Sequence, residues 1–458
     1  MPQLTGSIVK YPARNLVTWY LVLIMLGTLL LTLPICRGSG STNVSLLDAC
    51  FTATSASCVT GLAVRSTPHG FSFWGQLVIL CLIQVGGIGI MTITTFTMFN
   101  LGSKPSLRAR AILTETLGAS DDADLKWILR HVLMVTGITE GTGFLILLVR
   151  NLFLYDPLTA AWHALFHSIS AFCNAGFALH DDSLMQFQGD VVVNLTISAL
   201  IIVGGIGFPV MVDLHKNFPL GITRGWQNLH IHSKFMLTGT AFFLLMGFSG
   251  TLFLEWDGVL DQMPLWKKMM VAGFHSVTCR TAGFNTIDLA SLTNATLFIS
   301  MILMLIGAGP CSTGGGFKVS TVVVMALHAW KTFQGSTRIN FARRTIPNEV
   351  IQAATATALL FSVVAIAALT MLLVVEQSSI PHPKSQGVFL DAAFEVVSAL
   401  GTVGLSTGLT GTLSIMGKLI IIALMFLGRI GPISVFAALS RSERAVPVEY
   451  PKEEPLIG

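Results

Sequence analysis

Thr402-Val403-Gly404-Leu405, reading TVGL, closes a short apolar stretch, Val388–Leu400. Gly428-Arg429-Ile430-Gly431 begins 24 residues after its glycine. The same arrangement occurs three more times. Leu46–Cys58 leads into Val59-Thr60-Gly61-Leu62, Leu158–Cys173 into Asn174-Ala175-Gly176-Phe177, and Met269–Cys279 into Thr281-Ala282-Gly283-Phe284. The four central glycines are 115, 107 and 121 residues apart. Glycine clusters follow the first three as well, at Gly86-Gly87-Ile88-Gly89, Gly204-Gly205-Ile206-Gly207 and Gly307-Ala308-Gly309. Phe51, Phe166 and Phe394 lie ten residues before their glycine, and Ser55, Ser170 and Ser398 six before. The third copy fits only with a one-residue slip, at Phe274.

Between the short stretches lie long ones. Leu16–Ile35, Leu77–Phe99, Ile128–Val149, Val191–Val212, Phe235–Leu254, Ala295–His328, Ile351–Val375 and Lys418–Ser440 make eight candidate membrane spans, and the order is long, short, long in every copy. About 20 apolar residues are needed to cross a bilayer as a helix, so the short stretches read as re-entrant helices. The first span is too long for a signal-peptide core, and Cys36-Arg37-Gly38-Ser39 offers no good cleavage site, so it reads as retained. Composition agrees. Of 458 residues 52% are hydrophobic and 11% charged, the mean hydropathy is +0.73 and the net charge +4. An ordinary soluble domain carries about 25% charged residues. These values exclude a soluble enzyme, a disordered chain and a nucleic-acid binder. Seven cysteines without paired extracellular spacing predict free thiols.

With the N-terminus inside, the inner loops (1–15, 100–127, 213–234, 329–350 and 441–458) and flanking helix ends hold 17 Lys and Arg, the outer ones 7. That bias places both termini in the cytoplasm. Trp19, Trp127, Trp226 and Trp330 fall near the inner boundaries, and Trp74, Trp162, Trp256 and Trp266 near the outer ones.

The expected fold is therefore an all-α polytopic membrane protein. Four helix–pore helix–filter strand–helix repeats surround a central pore, giving eight transmembrane helices and four re-entrant loops. The repeats occupy 1–100, 101–215, 216–333 and 334–440, with a cytoplasmic tail at 441–458. Non-helical backbone at membrane depth is tolerated only where protein buries it or water lines it. Four glycine strands about one axis supply rings of carbonyl oxygens able to replace a cation's water. Short helices aimed at the axis turn the negative ends of their dipoles toward it. Three basic residues remain inside the segments: Arg280, Lys318 and Arg429.

The four tetrapeptides, with Ile306–Thr321 (IGAGPCSTGGGFKVST) and Leu427–Pro432 (LGRIGP), resemble the Ktr/Trk/HKT superfamily of potassium transporters over essentially the whole chain. Eight spans without an extra N-terminal helix pair place it nearest the Ktr-type membrane subunits. The resemblance implies uptake of potassium through a filter of Val59, Thr60, Gly61, Leu62, Asn174, Ala175, Gly176, Phe177, Thr281, Ala282, Gly283, Phe284, Thr402, Val403, Gly404 and Leu405, with K+ held by backbone carbonyls. In this superfamily Ser in place of the first filter Gly goes with sodium permeability. All four are Gly here, which implies potassium selectivity. It also implies sodium as activator or co-substrate, no organic cofactor, a homodimer in membrane lipid on a cytosolic ring of nucleotide-binding regulatory subunits, and the bacterial cytoplasmic membrane. No partner is legible in the residues, and no Gly-rich phosphate loop follows a strand.

Gly307, Gly309, Pro310, Ser312, Thr313, Gly314, Gly315 and Gly316 make poor helix, since Gly costs about 1 and Pro about 3 kcal/mol relative to Ala. A broken helix with a loop below the filter is expected, and the resemblance makes that loop a gate with Arg429 beside it; the alternative is a static kink. Arg429 is expected to set an electrostatic barrier or to hold loop carbonyls, and Lys318 to bond loop carbonyls or snorkel. Arg280 is expected to brace the filter through carbonyls or through a partner such as Glu395. Glu140 reads as a helix-packing group. His167, His275, His230 and His232 read as structural, without metal-ligand spacing. An intramembrane enzyme would need a facing carboxylate pair or a nucleophile with a base. None is visible, so the chain is not expected to be an enzyme. A carrier with inverted repeats fits poorly, because all four repeats run the same way.

Overall fold

The computed structural model describes residues 12–38, 44–100, 125–217, 219, 221–336, 339–341, 344–377, 381, 385 and 387–431. The chain runs α1 (Pro12–Thr32), α2 (Leu46–Ser57), α3 (Phe73–Asn100), α4 (Leu125–Asn151), α5 (Pro157–Phe172), α6 (Val191–Ile206), α7 (Phe208–Asn217), α8 (Ile231–Leu254), α9 (Leu265–Thr278), α10 (Asn294–Leu305), α11 (Val319–Phe333), α12 (Asn348–Gln377), α13 (Val388–Gly401) and α14 (Ile415–Ile430). A two-residue antiparallel pair, Asn340–Phe341 with Arg344–Thr345, links α11 to α12.

Four of the described helices are long and apolar enough to cross a membrane: Arg14–Thr32, Arg130–Asn151, Ile231–Leu254 and Asn348–Gln377. They lie in α1, α4, α8 and α12, the long helix before the short one in each unit. The expected spans after the short helices are less regular. Val191–Val212 is not one straight span: α6 and α7 are bent by 100° at Gly207. Gly207 takes φ +102°, and Pro209 sits in the first turn of α7, where its missing N–H costs nothing. The span expected over Ala295–His328 is broken as anticipated, into α10 and α11. The span expected over Lys418–Ser440 is described as far as Gly431; Pro432 and the tail 441–458 lie outside the described residues, as do residues 1–11 and 101–124.

The four short helices α2, α5, α9 and α13 fall on the four short apolar stretches, and local chemistry starts and stops them. Ser45 caps α2 by accepting the Asp48 N–H, and Asp156 caps α5 by accepting that of Thr159, with Pro157 at the first helical position. The helices that follow are capped in the same manner. Asp190 accepts from Val193 N, Thr293 from Thr296 N and Ser414 from Gly417 N. Glu255 also receives the N–H and hydroxyl of Thr293, and Glu376 those of Ser414, so the third and fourth units close these helix ends identically.

The glycine clusters are packing devices. A Cβ on Gly86 would lie 2.0 Å from Ser57 O, one on Gly204 1.9 Å from Phe172 O, and one on Gly428 2.1 Å from Leu400 O. Each of these carbonyls is four residues before its unit's central glycine. Only glycine lets the crossing helix meet the last turn of the short helix. Phe51, Phe166 and Phe394 are fully buried, as is Tyr20. All seven cysteines are free.

The first and fourth units are joined by Asp48. Its carboxylate meets Lys418 Nζ at 2.9 Å and Arg65 Nε at 3.1 Å. Burial pushes this carboxyl up, but the hydrogen bonds from Lys418, Arg65 and Ser45 outweigh it and hold it below the usual carboxylate range. A depressed folded pKa contributes stability above the unfolded value of about 3.9, lost as pH falls through the folded value. Asp48→Asn is therefore expected to lower the melting temperature by roughly 2–4 °C at neutral pH. The gap from wild type should close as acid protonates Asp48. Thermal scans of both proteins across that range check it; a gap independent of pH would contradict the bridge.

Candidate functional site

The four tetrapeptides share one backbone. Their first residues, Val59, Asn174, Thr281 and Thr402, have φ of 55°, 59°, 66° and 49°; their glycines, Gly61, Gly176, Gly283 and Gly404, have φ of 98°, 70°, 78° and 94°. Left-handed dihedrals at alternate residues prevent either helix or strand and keep the carbonyls from pairing along the segment. The second residue is tied back to its short helix. Thr60 N donates to Ser55 O, Ala175 N to Ser170 O and Val403 N to Ser398 O, each at 2.8 Å. The serine hydroxyls finish the job: Ser55 Oγ accepts Gly61 N and Ser398 Oγ accepts Gly404 N, both at 3.1 Å, while Ser170 Oγ donates to Phe177 O. In the third unit Thr278 takes that role, donating to Phe284 O at 2.5 Å. Thr278 is five residues before Gly283, so the one-residue slip seen in the sequence is real. The last residues, Leu62, Phe177, Phe284 and Leu405, are buried anchors.

The four segments close into a ring. A Cβ on Gly61 would lie 2.5 Å from Ala175 O; on Gly176, 2.9 Å from Ala282 O; on Gly283, 2.4 Å from Val403 O; and on Gly404, 2.1 Å from Thr60 O. Each glycine thus faces the carbonyl before the next unit's glycine, and the fourth returns to the first. An open vestibule lies against one side of this ring, lined by the four glycines with Ser66, Asp181, Asn285 and Ser406 among others.

The loop between α10 and α11 lies against the other side. A Cβ on Gly314 would sit 2.4 Å from Thr281 Oγ1, and one on Gly315 2.2 Å from Thr402 Oγ1. The loop's ends meet, since Gly307 N donates to Phe317 O at 2.8 Å and Phe317 N to Leu305 O at 3.3 Å. Its middle is held by neighbouring glycine clusters: Gly309 N donates to Gly205 O, Thr313 N to Gly204 O and Gly316 N to Gly428 O. Ser312 Oγ donates to Gly309 O, and Phe208 N at the head of α7 donates to Cys311 O of the loop. The bend at Gly207 makes that last contact, and a Cβ there would meet Pro310 O at 2.5 Å.

Arg429 is 3% exposed and threads between units. It donates to Thr313 O of the loop, to Gly86 O at 3.0 Å and to Tyr20 Oη at 3.1 Å, and Tyr20 Oη donates to Gly86 O. Arg429 thus reaches a carbonyl of the loop, that of Thr313. Lys318 Nζ bonds the loop carbonyls of Gly314 at 2.9 Å and Gly315 at 3.4 Å. Arg280 reaches Thr240 O and Gly307 O, both at 3.2 Å, bracing the loop's start. The expected pairing with Glu395 does not form, because Glu395 receives Ser406 and Thr410 hydroxyls instead. Glu140 packs helices as expected, accepting from Gln84 Nε2 at 2.9 Å. Asn174 and Thr281 Oγ1 lie 3.2 Å apart; with the carboxamide oxygen turned to that hydroxyl, its nitrogen reaches Phe172, Ile201 and Ala171 carbonyls.

Sequence reasoning missed the Tyr20–Arg429–Gly86 contact, because Tyr20 is 409 residues from its partner. It also missed that His163, His167 and His180 come together, with ligand atoms all within 4.8 Å of one another. The spacing His163–His167 is one helical turn and was visible in the sequence; His180 joins only through the path of the chain after Gly176.

A helical chain with several helices long and apolar enough to cross a membrane is that of a polytopic membrane protein. The family described as TrkH, cation transport protein, matches residues 12–445, and the chain belongs to it. It is 36% identical over 447 residues to the Ktr system potassium uptake protein B of Vibrio alginolyticus, covering 97% of this chain and 94% of that one. It is 35% identical over 450 residues to the potassium/sodium uptake protein NtpJ of Enterococcus hirae, covering 98% and 97%. The crystal structure of the potassium transporter TrkH from Vibrio parahaemolyticus shares the fold, with a TM-score of 0.72 at 18% identity over 93% of this chain and 83% of that one.

Proposed function

We propose that the chain is the ion-translocating membrane subunit of a potassium uptake system, conducting K+ through the ring at Gly61, Gly176, Gly283 and Gly404. The carrying observation is the closure of that ring, glycine to neighbouring carbonyl, in all four units. Carbonyl dipoles there replace the ion's hydration, and four short helices turn their negative ends toward it. The names of the relatives in Vibrio alginolyticus and Enterococcus hirae support potassium as the cargo, and the latter supports a role for sodium. The positive-inside bias supports a vestibule on the outside and both termini in the cytoplasm, and the bacterial relatives support the bacterial cytoplasmic membrane. The loop at 306–318 then lies on the cytoplasmic side of the ring as its gate, anchored by Arg429 and Lys318. The "Ktr system" in a relative's name supports a partner subunit, read here as a cytosolic nucleotide-binding ring beneath a homodimer.

The test is uptake of rubidium-86 into sealed vesicles carrying the purified chain, with and without sodium. Saturable uptake competed by K+ and not by Na+ supports the reading. Equal competition by both ions makes the chain a non-selective or sodium-permeable cation channel of the same fold. Absence of flux even with a regulatory subunit added overturns transport altogether.

Arg429→Gln removes three donors from a buried site but keeps one amide. Each charge-assisted bond contributes about 1.5–3 kcal/mol, so the loop loses its firmest tie. Basal flux is expected to rise several-fold with assembly intact, read by the same uptake and by size-exclusion chromatography. Lower flux from a well-assembled mutant would show that Arg429 helps conduction rather than closure.

A further inference from the structure

We propose that His163, His167 and His180 form a transition-metal site of the Zn2+ type behind the second filter segment, loaded from the vestibule, and that its occupation slows permeation. The first two residues sit one turn apart on α5, so their rings share a face. His180 lies four residues beyond Gly176 on the segment leaving the ring, and it lines the vestibule. Their ligand atoms lie within 4.8 Å of one another. A metal bonded to three imidazoles at about 2.0–2.1 Å brings those nitrogens to roughly 3.3 Å, so a modest inward shift completes the site. His180 is on a loop and supplies that shift.

The hydrogen bonds already dispose the rings for this. His167 Nδ1 is 2.8 Å from His163 O, and the Leu179 N–H points at His167 Nε2 from 3.3 Å. A backbone N–H can only donate, so Nε2 carries the lone pair and Nδ1 the proton. That is the tautomer of a metal-ligating histidine, whose other nitrogen donates to a carbonyl. The Leu179 contact is long for an N–H···N bond and is what a metal would displace. His163 Nδ1 is buried with no hydrogen-bond partner among the described residues. An unsatisfied buried nitrogen beside two more imidazoles is a ligand lacking its partner.

The rings confine the site. His180 stacks on His167 with centroids 5.4 Å apart and meets His163 edge-on at 4.9 Å, and Tyr155 covers His163 at 5.1 Å. Asp181, the next residue along the segment, is engaged by His69 and Ser66. Three neutral imidazoles without carboxylate suit Zn2+, Cu2+ or Ni2+ and do not suit K+, Na+, Mg2+ or Ca2+. Binding would join the short helix α5 to the segment that leaves the ring. It would also place two positive charges beside the cation path. The effect on flux rests on the transport reading above; binding of the metal does not.

The experiment uses the full chain and Co2+ as a spectroscopic probe. Visible ligand-field bands at one Co2+ per chain, displaced by Zn2+, are expected for wild type. Affinity should fall roughly tenfold or more in His180→Ala and in His163→Gln, both close to the vestibule and neither in the ring. In vesicles, external Zn2+ should slow rubidium uptake by wild type and leave His180→Ala unaffected. Absence of bands, or bands retained in both variants, would overturn the site. Tight Zn2+ binding without any change in flux would overturn its coupling to permeation. A cobalt spectrum in a chain that never carries flux would uphold the site and count against the transport reading alone.

Discussion

Gly61→Ser is expected to lower discrimination between K+ and Na+ by tenfold or more, about 1.4 kcal/mol. Gly61 has φ +98°, where an L-residue is strained by about 1–3 kcal/mol. Its Cβ would lie 2.5 Å from Ala175 O and 3.1 Å from Gly176 Cα. The side chain has no room unless the first and second units move apart. A widened ring, with a hydroxyl added to it, no longer matches the coordination that K+ receives from evenly spaced carbonyls. Rubidium uptake competed by graded Na+ measures the change, with circular dichroism to show that the helices persist. Unchanged competition in a folded mutant would remove the ring from selectivity. Gly404 approaches its neighbour most closely, at 2.1 Å from Thr60 O, so Gly404→Ala is the harsher substitution.

Deletion of residues 309–314 is expected to raise basal flux roughly tenfold in the absence of any regulatory subunit. Those residues lie against Thr281 and, with Gly315, beneath the ring. The excised ends already lie together, since Ala308 N reaches Gly315 O at 3.4 Å and Ile306 bridges Phe317. The join therefore needs little rearrangement of α10 or α11. The loop's ties are hydrogen bonds between backbone groups, worth about 0.5–1.5 kcal/mol each, plus those from Arg429 and Lys318. Flux that stays at the wild-type level would make the break a static kink. A deletion combined with Arg429→Gln should add nothing further, because the guanidinium would have lost its loop carbonyl already.

Much of the fold was readable in sequence because the membrane restricts the options. Apolar length alone separated α1, α4, α8 and α12 from the short helices. Glycine spacing found all four ring segments, since a left-handed φ at each central position leaves few alternatives to glycine. Even the slip in the third unit was visible, and Thr278, five residues before Gly283, takes the place of the serine there. The bend after Ile206 was not anticipated. Gly207 and Pro209 stood in an apolar run of ordinary length, and such a run does not reveal whether its lower half crosses the membrane or turns aside.

The sequence by itself determined the membrane class, the four-unit plan and the positions of the ring glycines, because these follow from local properties: apolar length, backbone freedom and charge bias. Tertiary structure alone decided who meets whom across units. It set Arg429 between Tyr20, Gly86 and Thr313, turned Arg280 to Gly307 instead of Glu395, and laid α7 against the loop. It also brought His180 back to His163 and His167. These pairings join residues far apart in the chain, and in a protein whose units repeat, local chemistry does not say which neighbour a side chain will find.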